Sequence, residues 1–197
     1  MTDTDVSTWA GDVLEPFTTL MDLRLGTLQP EREIAERHVS DLRAHLLESD
    51  ADPEGDPLVY TVSAIPVPTT ASNIQISTTI IQPGTVGREY FMTKGHFHEV
   101  RDRAEVYLGL TGQGRLVLAT EDGRSAVEPM SPGTVSYVPG GWAHRTVNVG
   151  DEPLVFFAVY VGDAGHDYEA VERRGFPVVV VAGPDGPVVE ENPRYGR

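Results

Sequence analysis

Cysteine is absent from this chain of 197 residues, which excludes disulfides and thiolate metal ligands. Such an absence fits a reducing compartment. Basic residues are few: 15 Lys and Arg stand against 30 Asp and Glu, a formal net charge of -15. Nucleic-acid binding needs clustered cations to displace counterions, and no such cluster occurs. An acidic surface also gives no attraction to anionic membranes. No apolar run reaches the roughly 18–20 residues needed to span a bilayer. Met1 to Val6 is polar and acidic, without the basic and apolar regions of a secretory signal. The expectation is a soluble, cytoplasmic protein without nucleic-acid or membrane partners. No repeat and no low-complexity tract is visible.

Hydrophobic residues make up 40% of the chain, enough for one ordinary domain with a sizeable core. Twenty Gly and fifteen Pro imply many turns and favour strands over a helical bundle. The first part reads differently from the rest. Pro30 can open a helix, and Ile34, Val39, Leu42 and Leu46 then fall on one face at helical spacing. Asp50 to Pro57 reads as an acidic loop. Residues 1–57 are therefore expected to form an extension with one helix, and 58–197 a β domain.

Short β-prone runs follow at Leu58–Ile65, Ile74–Ile81, Glu105–Leu110, Gly114–Thr120, Thr134–Val138, Thr146–Val149 and Leu154–Tyr160. Turn signals separate many of them, as at Pro83-Gly84 and Ser131-Pro132-Gly133. Many short strands so spaced predict a sandwich or barrel, an all-β fold. Phe176–Val181, a turn at 183–186 and Val188-Val189 suggest a terminal hairpin whose place in the sheet the sequence does not give.

Three histidines stand out. His96 and His98 are two apart in an expected strand and so share a face. Glu105 opens the next strand, and His144 follows a later turn. Three imidazoles and a carboxylate suit one divalent Mn, Fe, Ni, Co or Zn ion. A lone His-x-His is weak evidence, and the surrounding residues carry the reading. Gly133-x5-Pro139-x-Gly141-x2-His144-x3-Asn148 resembles the second motif of the cupin superfamily in full. His96-x-His98-x6-Glu105-x6-Gly112 resembles the first, with a longer gap before the glutamate and Tyr90 at the place of the leading glycine. The resemblance implies a jelly-roll (double-stranded β-helix) barrel holding the metal in its mouth.

The string Tyr90 to His98, then Asp102 to Tyr107, Trp142 to Asn148 and Asp163 to Tyr168, is similar to the cupin-type glucose-6-phosphate isomerase family known mainly from archaea. The similarity runs from about Asp56 to Pro193. It implies a homodimeric metal-dependent enzyme acting on a small sugar phosphate, with His96, His98, Glu105 and His144 as ligands. Tyr60, Thr79, Thr93, Gly95 and Tyr160 match residues that hold the sugar phosphate, while Tyr107, His166 and Tyr168 match others lining the pocket. Hydroxyls and a backbone N–H are suitable donors to phosphate oxygens. Equally, Thr79, Tyr60 and Tyr107 suit ordinary strand and core positions. Lys94 either adds positive charge near the phosphate or is a solvated loop residue, and the latter is the preferred reading. Archaeal members commonly have Tyr where this chain has Gly141, which leaves the substrate open.

Glu105 is a candidate base for an enediol route, or purely a ligand if the hydrogen passes directly between C1 and C2. His166 is a candidate acid/base for opening the sugar ring. Alternative readings are an isomerase of another sugar phosphate or secondary metabolite, an Fe(II) dioxygenase on the same ligand set, and a non-catalytic binding module.

Overall fold

The computed structural model describes residues 15–29, 33–47 and 55–196. Pro30 and most of the acidic loop, 50–54, lie outside the described residues. A short hairpin, β1 (Leu20–Met21) and β2 (Leu28–Gln29), is followed by β3 (Glu33–His38) and a 3-10 helix (Val39–His45). Then come β4 (Leu58–Ile65), β5 (Ile74–Ile81), β6 (Thr85–Val86), β7 (Glu89–Tyr90), β8 (Glu105–Thr111), β9 (Gly114–Thr120), β10 (Ser125–Met130) and β11 (Val135–Val138). The chain continues through β12 (Trp142–Asn148), β13 (Leu154–Val161), α1 (Tyr168–Arg174), β14 (Val178–Gly183) and β15 (Gly186–Glu191). The architecture is all-β, as expected.

The largest sheet has the order β11-β8-β13-β5-β4-β3, and its named pairings are antiparallel. A three-stranded sheet β10-β9-β12 and a four-stranded sheet β15-β14-β7-β6 accompany it. One buried apolar cluster joins them, with Ile81 and Phe156 from the large sheet, Leu116 and Val147 from the three-stranded one, and Val180 from the third. Asn148 staples the turn before β13: it is fully buried, and its amide donates to the carbonyls of Ile81 and Glu152, both at 2.9 Å.

Four local expectations change. The helical spacing of Ile34, Val39, Leu42 and Leu46 is realised only after His38. Glu33–His38 instead pairs antiparallel with β4, across the position where an extension was expected to end. A free sheet edge offers six residues their backbone bonds, which outweighs the helix propensity of Glu, Ala and Arg there. Val39, Leu42 and Leu46 are buried, whereas Ile34 is 45% exposed.

Secondly, His96 and His98 lie in extended chain held by isolated bridges, not in a regular strand. Thirdly, β10 contains Pro129 and Glu128 and gave no strand signal. It is the edge of its sheet, where a missing N–H costs little. Lastly, α1 escaped the sequence reading although its caps are ordinary. Asp167 accepts from the Ala170 N–H at 3.1 Å, and Gly175 ends the helix at φ 75°. No helix among the described residues is long and apolar enough to cross a membrane.

Candidate metal centre

The strand period of two builds one wall of the site. Ala35 and Arg37 on β3, then Tyr60, Val62 and Ala64 on β4, alternate toward the same face. Ser77 and Thr79 on β5, Phe156, Ala158 and Tyr160 on β13, and Glu105 and Tyr107 on β8 do likewise. Five adjacent strands thus line a pocket of about 250 Å³. Thr93 to His96, His144, His166 and Tyr168 complete it.

His96 is brought to its place by backbone bonds. Its N–H donates to the His144 carbonyl at 3.2 Å, and the His144 N–H returns the bond at 3.0 Å. On the next residue, Phe97 makes the same exchange with Asp167. Single atoms of His96, His98, Glu105 and His144 consequently lie within 4.8 Å of one another. Glu105 Oε2 is 3.2 Å from His98 Nε2 and 3.0 Å from His144 Nε2.

The donor set fits a divalent cation. His98 donates Nδ1–H to the Arg103 carbonyl at 2.9 Å, which turns Nε2 toward the centre, 3.2 Å from Glu105 Oε2. The Nε2 atoms of His96 and His144 are buried and have no hydrogen bond. Burial, then the neighbouring His144, His166 and His98, holds the His96 pKa well below its usual value, so this ring is neutral. Burial pushes Glu105 upward, yet His144 and His98 together bring its pKa down to about 2. One carboxylate and three imidazoles converging in this way suit a divalent cation.

The six-residue gap between His98 and Glu105 has a purpose visible in the structure. Arg101 bonds the His98 carbonyl, Asp167 and Glu121, and its guanidinium lies 4.8 Å above the Phe97 ring. Arg103 grips Asp163 with two bonds of 2.7 and 2.9 Å. The longer loop therefore carries two arginines that fix the His98 main chain and side chain.

The residues matched to the sugar-phosphate pocket all face it: Tyr60, Thr79, Thr93, Gly95, Tyr107, Tyr160, His166 and Tyr168. Burial raises the pKa of Tyr60 and Tyr160 to about 12, so both hydroxyls stay protonated donors. Thr93 Oγ1 accepts from the Thr146 N–H at 3.1 Å and keeps its own hydrogen to donate. Gly95 has φ 76°, and a Cβ there would stand 2.7 Å from the Phe176 ring. His166 packs 4.4 Å from His96 and stacks on Tyr168. Burial, chiefly, lowers its pKa and leaves a neutral imidazole.

Two differences from the sequence reading stand out. Lys94, outside any strand or helix, is half-buried and lines the pocket wall. Arg37 also lines the pocket and was missed, because its segment read as a helix and not as the strand beside Tyr60. Gly141 is exposed, lies outside the described pocket lining and has φ 82°. The turn accounts for glycine there.

Comparison with known proteins gives the family. A family profile described as glucose-6-phosphate isomerase matches residues 37–193. A glucose-6-phosphate isomerase of Thermococcus kodakarensis is 45% identical over 184 residues, 91% of this chain and 96% of the relative. One from Pyrococcus horikoshii is 42% identical, covering 92% of this chain and 97% of the relative. Among solved structures, Bacillus subtilis oxalate decarboxylase aligns over 59% of this chain at 24% identity and a TM-score of 0.42, and this chain spans 28% of that one.

Proposed function

The chain belongs to the glucose-6-phosphate isomerase family, and we propose that it interconverts glucose 6-phosphate and fructose 6-phosphate using one divalent ion held by His96, His98, Glu105 and His144. The observation that carries this reading is the convergence of those four side chains at a pocket otherwise lined by hydroxyl donors. We assign Fe, Mn, Ni, Co or Zn as the ion class on ligand chemistry.

When bound, the cation supplies electrostatic stabilisation of negative charge at the C1 and C2 oxygens. Tyr60, Thr79, Thr93, the Gly95 N–H and Tyr160 hold the phosphate, and Arg37 and Lys94 offset its charge from the same wall. Against a net charge of -15, local cations of this kind are needed to admit an anionic substrate. His166, neutral and set beside His96, moves the proton that opens and closes the sugar ring. Tyr107 hydrogen-bonds Glu105 and keeps that carboxylate in place. Coordination to a cation would lower the basicity of Glu105, so it serves as a ligand.

We also propose a homodimer in the cytoplasm. Leu20 and Leu23, each 65% exposed, and Val135 and Tyr137, 71% and 64% exposed, support a covered surface in the assembly.

The test is a coupled assay for fructose 6-phosphate isomerisation with metal-reconstituted protein, run beside an oxygen electrode. Turnover without oxygen uptake is expected. Oxygen uptake without isomerisation would replace this reading with an oxygenase, and inertness toward every sugar phosphate would reduce it to a binding module.

A further inference from the structure

A second cavity, of about 360 Å³, shares none of its described lining with the metal pocket. It lies among the end of the 3-10 helix, the last turn of α1 and the C-terminal residues. Its charge is opposite to that of the molecule as a whole. Arg145, Arg173, Arg174 and Arg194 line it, and among the described residues Glu172 is the one acid in that lining, with Glu169 paired to Arg173 and Glu89 near Arg145 outside it.

Three of these guanidiniums are anchored without being neutralised by the group that anchors them. Arg145 donates twice to the Lys94 carbonyl, at 3.2 and 2.7 Å, and sits over Phe176. Arg174 donates to the Glu121 carbonyl and covers the Tyr195 ring. Arg194 donates to the Leu46 carbonyl at 2.5 Å. Backbone carbonyls fix direction and carry no charge of their own to cancel the guanidinium's. Arg145 is fully buried. Burial lowers its pKa to about 10 in spite of nearby Glu89 and Tyr60, and it is still cationic at neutral pH.

His45 is the second, independent observation. Its side chain is 1% exposed, and neither ring nitrogen has a hydrogen bond. Glu172 Oε1 is 3.5 Å from Nε2, outside bonding geometry. A buried imidazole left without partners costs stability unless something else satisfies it. Burial, with Arg145 and Lys94 close by, pushes its pKa down to about 3, as expected for a ring in a positive field. A neutral imidazole keeps one N–H to donate.

We propose that this cavity is a second, non-catalytic site for a phosphate group, either inorganic phosphate or a small phosphate monoester. A tetrahedral dianion would bring together the acceptors that the arginine forks and the His45 N–H require. The volume leaves room for a short carbon skeleton against Val171 and Phe176.

Isothermal titration calorimetry with inorganic phosphate and with glycerol 3-phosphate tests this on the full chain. Arg173→Gln removes a cation whose described ion-pair partner is the exposed Glu169, so folding is not at stake. Glu172→Gln removes the opposing acid. For whichever probe binds, Arg173→Gln should weaken the site roughly threefold and Glu172→Gln should tighten it roughly threefold. A stronger response to glycerol 3-phosphate assigns the monoester, and an equal or weaker one assigns free phosphate. Phosphate held only in the metal pocket would leave both variants with wild-type affinity. That result, a shift in the wrong direction in either variant, or no binding heat with either probe overturns the proposal.

Discussion

His98 donates its Nδ1 hydrogen to the backbone carbonyl of Arg103, 2.9 Å away, and so turns its Nε2 toward Glu105 Oε2, at 3.2 Å. The orientation of this ring is therefore set by the loop that separates the two residues in sequence. Arg103 is held in turn by Asp163, which comes from the chain just after β13.

Loss of the Arg103 side chain frees the loop but leaves all four ligands. Arg103→Ala should weaken metal binding by about 10–100-fold, the range typical for groups that orient a ligand. Competition against a chelator of known affinity measures it. Wild-type affinity in this variant would show that His98 needs no such support.

The Arg103–Asp163 pair also fixes a pH dependence. The guanidinium holds the Asp163 carboxyl below its ordinary value of 3.8. A depressed folded pKa contributes stability that is fully present above 3.8 and is lost as pH falls through the lower folded value. Asp163→Asn should lower the urea midpoint at pH 7 and converge on wild type in strong acid. Parallel curves for the two proteins across that range would deny the linkage.

Much of the site was legible in the sequence because its signals are local. Gly and Pro mark the turns, and the strands between them carry one chemical residue type every second position. Leu58–Ile65, Ile74–Ile81 and Gly114–Thr120 coincide with strands end to end. Arg37 was not legible, because nothing in Glu33–His38 announces that it will occupy a sheet edge rather than continue toward the helix. The role of the long loop was equally hidden: a gap length says that residues are inserted, but the clasp of Arg101 on His98 and Asp167 is tertiary. Leu46 and Arg194 meet across most of the chain length, and no periodicity links them.

Thr79 is 5% exposed and points into the pocket from β5. Thr79→Val keeps its shape and removes the hydroxyl. Loss of one hydrogen bond to a charged phosphate should raise KM about tenfold or more with little change in kcat. Steady-state kinetics with both sugar phosphates decide it, and an unchanged KM would remove Thr79 from the phosphate site.

Gly112 has φ 80°, and a Cβ there would lie 2.6 Å from the Pro153 carbonyl oxygen. Gly112→Ala should cost about 1–3 kcal/mol from backbone conformation alone, before any steric cost. Chemical denaturation checks this, and a stability equal to wild type would mean that the β8–β9 turn relaxes freely.

The fate of the migrating hydrogen follows from Glu105. With Glu105 serving as a ligand and not as a base, substrate deuterated at C2 should deliver its label to C1 without loss to solvent. Washout, read by mass spectrometry of the product, would require a proton acceptor at C2 and reopen the enediol route.

The most direct test is a titration of chelated protein with one divalent metal, following isomerase activity and bound metal per chain together. Activity should be absent at the start, rise in proportion to occupancy and level off at one equivalent, with His96→Ala and His144→Ala flat throughout. Full activity in the metal-free protein, or a plateau reached unchanged by those two variants, would contradict a cation held by three imidazoles and a carboxylate.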